Sequence, residues 1–172
     1  MGSCRQFNSH IIKRTQQEVF NIAMAGLEAF DKTTQQTHIW INDVAKVLGW
    51  DDKHRTFIGL RVTLQTLRDR LTLGEAANLG AQLPILLAGF YYEGWKPETT
   101  PHKSRSKEEF LNELGSRLHN YLRNNDSDID LEQLVRAVFC VISTKVATGE
   151  VKDITHILPS ELKELWPEEV RA

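Results

Sequence analysis

The chain has 172 residues, of which 41% are hydrophobic and 26% are charged, and its formal net charge is −2. This balance is typical of a folded protein and excludes an intrinsically disordered chain. The negative total charge disfavours nucleic acid as a partner, because nucleic-acid-binding proteins carry a positive surface. No apolar stretch approaches the roughly 18 residues of a membrane span, so we expect no membrane partner.

Helical periodicity dominates the first part of the chain. Apolar residues recur at three- and four-residue steps, which predicts a series of amphipathic helices. The apolar positions of the first three helices are Ile12, Val19, Ala23, Leu27 and Phe30; Trp40, Val44, Val47 and Leu48; and Phe57, Leu60, Leu64, Leu67 and Leu71. Gly49 stands where a left-handed residue often ends a helix. Asp51 or Asp52 is expected to cap the third helix.

Capping residues and prolines mark the starts of the later helices. A side-chain oxygen placed three residues before a glutamate or glutamine can accept a hydrogen bond from an unpaired backbone amide. The pairs with this spacing are Thr72 and Glu75, Ser106 and Glu109, and Asp130 and Gln133. Pro84 and Pro159 would break a helix from within, so each is expected to open a short helix.

The sequence contains an internal repeat at a shift of 75 residues. Residues 57–91 fall on residues 132–166 without a gap and share six identities, where about two are expected by chance. The identical pairs are Arg61 and Arg136, Gly74 and Gly149, Glu75 and Glu150, Leu83 and Leu158, Pro84 and Pro159, and Leu87 and Leu162. Because the apolar stripe is also kept, we predict an all-α helical bundle of two tandem, internally similar multi-helix units.

The repeat also predicts the domain boundaries. The first unit covers residues 27–95 and the second covers residues 106–167, and the two share one core. A Pro-, Thr- and Ser-rich linker covers residues 96–105. A partly helical extension precedes the first unit at residues 1–26, and a tail follows the second at residues 168–172.

The two copies differ in the predicted surroundings of their long helices. The helix of the second unit is apolar on every side from Val135 to Ile142, so we expect it at the centre of the bundle. Its counterpart is expected to keep one polar face in water. The residues of that face are Thr63, Gln65, Arg68 and Asp69.

Three segments of the chain resemble a bacterial family. They read LGWDDKHR at residues 48–55, LGAQLPILLAGFYYEGW at residues 79–95 and LPSELKELWP at residues 158–167. In these segments, and from about Leu27 to Pro167, the chain is similar to the domain-of-unknown-function family numbered 2267. The resemblance implies an all-helical bacterial protein of two units, and it implies no reaction, cofactor or catalytic residue.

Two pairs of charged residues recur in the repeat. Arg61 is equivalent to Arg136, and Glu75 is equivalent to Glu150. We predict that an Arg–Glu ion pair ties each long helix to the short helix that follows it. The alternatives are that each glutamate serves only its own helix start, or that these charges bind a ligand. A structural role is favoured, because a single active site would not need both copies.

An aromatic run provides the candidate interaction surface. Phe90 and Tyr91 match apolar positions of the second unit and are expected in the core. Tyr92 and Trp95 lack such counterparts, and aromatic residues with a polar tip are enriched at interfaces. The alternative is that both pack beneath the linker.

The sequence has no catalytic or metal-binding signature. The histidines lack metal-ligand spacing, so we expect neither a metal nor a cofactor. His54 lies beside Asp51 and Asp52, but helix capping explains these aspartates better than a cation site does. Cys140 is expected to be buried and inert. Because Cys4 and Cys140 suggest no disulfide framework, a reducing cytoplasm is the expected location.

These patterns favour a non-enzymatic module that binds another protein or a second copy of itself. The alternative is a small-ligand-binding protein, or an enzyme, with its site between the two units. Nucleic-acid binding through Lys103, Arg105 and Lys107 is the least favoured function, because the net charge is acidic.

Overall fold

A computed structural model of the chain describes residues 16–102, 106–123 and 128–171, with the side chains of residues 16, 17 and 19–26 outside this description. Within these residues the secondary structure is entirely helical, as predicted. The α-helices are α1 (Gln16–Leu48), α2 (Lys53–Arg68), α3 (Leu73–Gln82), α4 (Ile85–Tyr92), α5 (Lys107–Leu122), α6 (Leu131–Lys145), α7 (Thr148–Ile157) and α8 (Ser160–Lys163). Short 3-10 helices cover Pro97–Thr99 and Glu168–Val170.

The described residues divide into two compact parts between Gln36 and Thr37. In the first part, α1 is helical from Gln16 onward, and the side chains of Leu27 and Phe30 are exposed. The predicted apolar position Ile12 lies outside the described residues. The second part contains the hydrophobic core. None of the described helices combines the length and the apolarity needed to cross a membrane.

The predicted helix starts are confirmed. The Thr72 hydroxyl accepts a hydrogen bond from the Glu75 amide at 3.3 Å, and α3 begins directly after it. The other predicted caps act in the same way: Asp52 accepts from Arg55, Ser106 from Glu109 and Asp130 from Gln133. Helices α4 and α8 follow directly after Pro84 and Pro159. Gly49 ends α1 with a positive φ of 69°.

Helix α2 lies at the centre of the second part and packs against α4, α5 and α6. The prediction that α2 keeps one face in water is therefore wrong. Thr63, Gln65, Arg68 and Asp69 are all buried. Most of these polar groups are tolerated because they find partners. For example, the Gln65 side-chain amide donates to the Phe90 carbonyl at 2.7 Å.

Helix α6 is buried on a broad face, but it is not enclosed on every side. Its buried residues are Leu134, Val135, Ala137, Val138, Phe139, Val141 and Ile142. Arg136, Cys140 and Ser143 are spaced along one side of the helix and are half-buried. The Cys140 thiol therefore lies at the edge of the core rather than inside it, which differs from the prediction. Similarly, Val47 on α1 belongs to the predicted apolar stripe but is half exposed.

Candidate functional site

The C-terminal end of α2 carries three consecutive charged residues that are buried. Arg68 is only 3% exposed, and its Nε donates to Oδ1 of Asp69 at 2.9 Å. Its Nη1 donates to the backbone carbonyl of Tyr91 and also lies 3.4 Å from the carbonyl of Glu93. Arg68 thus joins the end of α2 to the end of α4, where the last carbonyls of a helix lack partners of their own.

Helix α5 supplies the other side of this arrangement. Nη2 of Arg117 donates to Asp69 at 2.5 Å and to Glu113 at 2.6 Å. Nη2 of Arg70 donates to the other oxygen of Glu113 at 2.7 Å, and its Nη1 lies 3.1 Å from Nδ1 of His102. We call this set the charged network. Its members are Arg68, Asp69, Arg70, His102, Glu113 and Arg117.

A cleft of about 590 Å³ opens beside the charged network. Its walls come from the end of α2, from the segment after α4 and from α5. The residues that line it are Gln65, Arg68, Asp69, Glu93, Gly94, Lys96, Thr99, His102, Arg117, Asn120 and Tyr121. The volume falls within the range of roughly 300 to 1,000 Å³ that is typical of small-ligand pockets.

Positive charge is in excess around the cleft. Five cationic side chains and three carboxylates line the cleft or bond directly to residues that do. The cations are Arg61, Arg68, Arg70, Lys96 and Arg117, and the carboxylates are Asp69, Glu93 and Glu113. Because the whole chain carries a formal charge of −2, this excess is local. Such a local field attracts anions.

Several of these cations keep hydrogen-bond donors without an acceptor among the described residues, and two of them, Arg117 and Lys96, line the cleft. Arg117 uses only Nη2 for its bonds, so its Nε and Nη1 have no acceptor among the described residues. Lys96 is exposed, and its ammonium has no carboxylate partner in the part of the chain that the structure describes. The cleft can therefore offer charged donors to a ligand.

Asp69, His102 and Glu113 place three potential metal-ligand atoms within 4.8 Å of one another. A metal ion does not fit this cluster well. Both carboxylates already bond to guanidinium groups, Asp69 to Arg68 and Arg117 and Glu113 to Arg70 and Arg117. A cation would have to displace these arginines or share their positive surroundings. The cluster is better explained as an ion-pair network.

The predicted Arg–Glu pairs within each unit are not formed. Arg61 pairs instead with Glu93, and its guanidinium lies over the rings of Phe90 and Tyr121. The reason is that α3 packs against α7 and α4, so the side chain of Glu75 faces α7.

The second predicted pair, Arg136 with Glu150, is replaced in the same way. Arg136 bonds to Glu132, one turn earlier on α6, with a shortest distance of 2.7 Å. It also donates to the backbone carbonyl of Glu164. Glu75 and Glu150 lie next to each other, so both predicted partners of the arginines are engaged elsewhere.

Tyr92 and Trp95, the predicted interaction surface, pack against each other with ring centroids 5.6 Å apart. Trp95 is half-buried, and its indole nitrogen donates to Thr100 at 2.9 Å. The Tyr92 side chain remains about one-third exposed, and its hydroxyl donates to the carbonyl of Ala77. An interaction through these residues stays a prediction.

Other candidate residues stand apart from the cleft. His54 is exposed on the first turn of α2, where Asp52 caps the helix as expected. Lys103 and Arg105 of the basic cluster lie outside the described residues. Lys107 is described, and its ammonium pairs with Glu132 at 3.1 Å.

Sequence reasoning missed the site because its members are far apart in the chain. Asp69 and Arg117, for example, are separated by 48 residues. One local signal was available, namely three consecutive charged residues, Arg68 to Arg70, at the end of a helix with a continuous apolar stripe. Burial of such a run requires compensating partners, and therefore predicts a network.

The family described as "Uncharacterized conserved protein (DUF2267)" matches residues 37–165. This match covers most of the chain and includes the described residues of the cleft and of the charged network. The chain therefore belongs to this family, as its three characteristic segments predicted. No curated protein matches the chain.

Proposed function

We propose that this member of the DUF2267 family binds a small organic anion, carrying a phosphate or carboxylate group, in the cleft at the end of α2. The observation that carries the proposal is the local excess of positive charge around the cleft, where the ammonium of Lys96 and the Nε and Nη1 of Arg117 have no acceptor among the described residues. Guanidinium groups are well suited to both kinds of oxyanion, because their donors match the spacing of two oxygens.

The charged network would preorganise this site. Asp69 and Glu113 both accept from Nη2 of Arg117, which restricts the position of its guanidinium group. Arg68 is fixed in turn by two backbone carbonyls. A donor that is already held in place loses less conformational entropy when a ligand binds.

The size of the cleft supports an organic anion rather than a simple inorganic ion. A volume of about 590 Å³ far exceeds that of one phosphate group. Tyr121 and Asn120 line the same cleft and would contact the uncharged part of the ligand. The Tyr121 ring is held beneath the Arg61 guanidinium at 4.4 Å.

Isothermal titration calorimetry at low salt tests the proposal with inorganic phosphate, pyrophosphate and citrate as probes. We expect saturable binding of one anion per chain, weakened by added salt. Lys96→Gln should weaken binding about threefold to fivefold, which corresponds to the loss of one exposed charge contact. Comparison of the phosphate and citrate titrations identifies which oxyanion the cleft prefers.

Lys152→Gln is the matched control, because Lys152 is an exposed lysine on α7 and does not line the cleft. Its binding curve should overlay that of the unmodified protein. The proposal fails if no probe gives a saturable signal, or if the Lys96 and Lys152 variants weaken binding equally.

A second candidate function is self-association through α1. Leu27 is 50% exposed and Phe30 is 68% exposed, and a spacing of three residues places both on one side of the helix. Their neighbours from Glu28 to Lys32 are exposed as well. Exposed apolar side chains that lie together are typical of an interaction surface, so this pair favours a second copy of the chain as its cover.

Light scattering coupled to size-exclusion chromatography tests this second candidate. The unmodified protein should elute as a dimer, and the double variant Leu27→Glu, Phe30→Glu should elute as a monomer. The control is Glu28→Gln, which alters an exposed residue of the same helix without adding charge to the apolar pair. A monomer at every concentration of the unmodified protein would rule out this candidate.

We infer, in addition, that the helices after residue 37 form two similar units related by an approximate two-fold axis. Helices α3 and α7 have equal lengths and begin 75 residues apart, which is the shift of the repeat. Equivalent residues also meet each other. Gly59 approaches Leu134, and Glu75 lies beside Glu150, as expected for residues close to a two-fold axis. We also propose that the protein is bacterial and cytoplasmic.

A further inference from the structure

Two glutamates meet where α3 packs against α7. Glu75 is the third residue of α3, and Glu150 is the third residue of α7. Oε2 of Glu75 and Oε1 of Glu150 are both inaccessible to water and have no hydrogen-bond donor among the described residues. Two buried carboxylate oxygens without donors are costly, and they require an explanation.

The chemistry of carboxyl groups explains how two such oxygens can be buried side by side. An ionised carboxylate can only accept hydrogen bonds, so two of them side by side repel and leave their oxygens unsatisfied. If one of the two carboxyl groups is protonated, its O–H donates a hydrogen bond to the other. The repulsion is then removed, and the facing oxygens have a partner.

Among the residues that the structure describes, no cation acts on Glu150. The groups that act on it are Glu75 from α3 and Asp153 from its own helix, and both are acidic. From α4, Tyr91 lies close enough to feel its charge, and the Tyr91 hydroxyl donates to the Ala76 carbonyl at 2.8 Å. Among the described residues, neither α6 nor the final 3-10 helix brings a charged group to bear on Glu150.

We propose that Glu75 and Glu150 share one proton and act as a pH-sensitive contact between α3 and α7. Protonation closes the contact with an O–H···O hydrogen bond, and loss of the proton leaves two like charges facing each other. Since the two residues are equivalent in the repeat, the contact joins matching points of the two proposed units.

The electrostatics of the pair agree with its geometry. Burial, followed by the charge of Glu75, raises the pKa of Glu150 above its ordinary value of 4.5. The folded protein then holds this proton more tightly than the unfolded chain does. Stability from this source is complete below pH 4.5 and is lost as the pH rises through the raised pKa of Glu150.

The test is a pH titration of the full chain by NMR, with ¹³C-labelled glutamate side chains. We expect Glu150 to titrate above its ordinary range, and Glu75→Gln to move this titration downward, because the negative charge of Glu75 is then absent. Glu108→Gln is the matched control, since Glu108 is an exposed glutamate in the first turn of α5. It should leave the titration of Glu150 unchanged.

Urea unfolding at a series of pH values provides a second measurement. In Glu150→Gln, the amide donates to Glu75 at every pH, so the decline in stability above pH 4.5 should be smaller than in the unmodified protein. The proposal is overturned if Glu150 titrates at its ordinary value, or if Glu75→Gln leaves its titration unchanged. It is also overturned if both glutamine variants keep the full pH dependence of unfolding.

Discussion

Helices α2 and α6 occupy equivalent positions of the internal repeat, yet they bury different chemistry. The buried residues of α6 are all hydrophobic. Those of α2 include Thr63, Gln65 and Arg68. At their C-terminal ends, the run from Arg68 to Arg70 in α2 corresponds to Ser143, Thr144 and Lys145 in α6. One copy thus ends in a buried charged network, and the other ends in ordinary polar residues.

This difference indicates that the charged end of α2 has a role other than holding the fold together. Burial of charge is expensive, and hydrophobic residues of similar volume usually serve stability as well or better. The charged network therefore needs a reason other than stability. Its presence at the end of α2 and not at the end of α6, beside the cleft, favours one binding site built on one of these two helices.

The largest effect is expected from removal of the central carboxylate. Asp69→Ala leaves the buried Arg68 guanidinium without its ionic partner, which should lower the free energy of unfolding by about 3 to 5 kcal/mol. Thr144→Ala, at the equivalent position after the shift of 75, is the control and should cost less than about 0.5 kcal/mol, because Thr144 is exposed. Urea unfolding measures both. Similar losses for the two variants would remove the distinction between α2 and α6.

A smaller effect is expected where the two helices touch. A side chain at Gly59 on α2 would come within 2.8 Å of the buried Leu134 on α6. Gly59→Ala should therefore lower the free energy of unfolding by about 2 kcal/mol, because the core has little room to shift. Gly74→Ala is the control, since nothing lies within 4 Å of its added methyl group. Equal stability of the two variants in urea would contradict this close approach.

The smallest effect is expected from an exchange of polar and apolar residues between the helices. The Thr63 hydroxyl is buried without a hydrogen-bond partner in the described structure. Thr63→Val should therefore raise the free energy of unfolding by about 1 kcal/mol. Val138→Thr makes the reverse exchange at the equivalent position of α6 and should lower it by a similar amount. A lower thermal stability of Thr63→Val would contradict this expectation and would show that the Thr63 hydroxyl has a partner in the folded protein.

Local features of the fold were predictable from the sequence. The caps at Asp52, Thr72, Ser106 and Asp130 depend on residues only three positions away. The helices that follow Pro84 and Pro159 depend on the conformation of proline itself. The family was identified from segments that are continuous in the chain.

The site was not predictable in the same way, because long-range partners determine which charges can be buried. From the sequence, Arg68 is expected to face water. The sequence does not show that the backbone carbonyls of Tyr91 and Glu93 lie against its side chain. Glu75 was assigned to Arg61 because the two lie within one unit. The repeat could not reveal that Glu75 would lie beside its own equivalent, Glu150, on α7.

NMR of the arginine side chains can show whether the charged end of α2 binds an anion. During titration with pyrophosphate, the Nε–Hε signal of Arg117 should shift and saturate, together with that of Arg68. Arg136 on α6 is the internal reference, because it is already paired with Glu132 and lies at the equivalent of Arg61. Its signal should stay in place. No shift at Arg117, or an equal shift at Arg136, would contradict binding of the anion there.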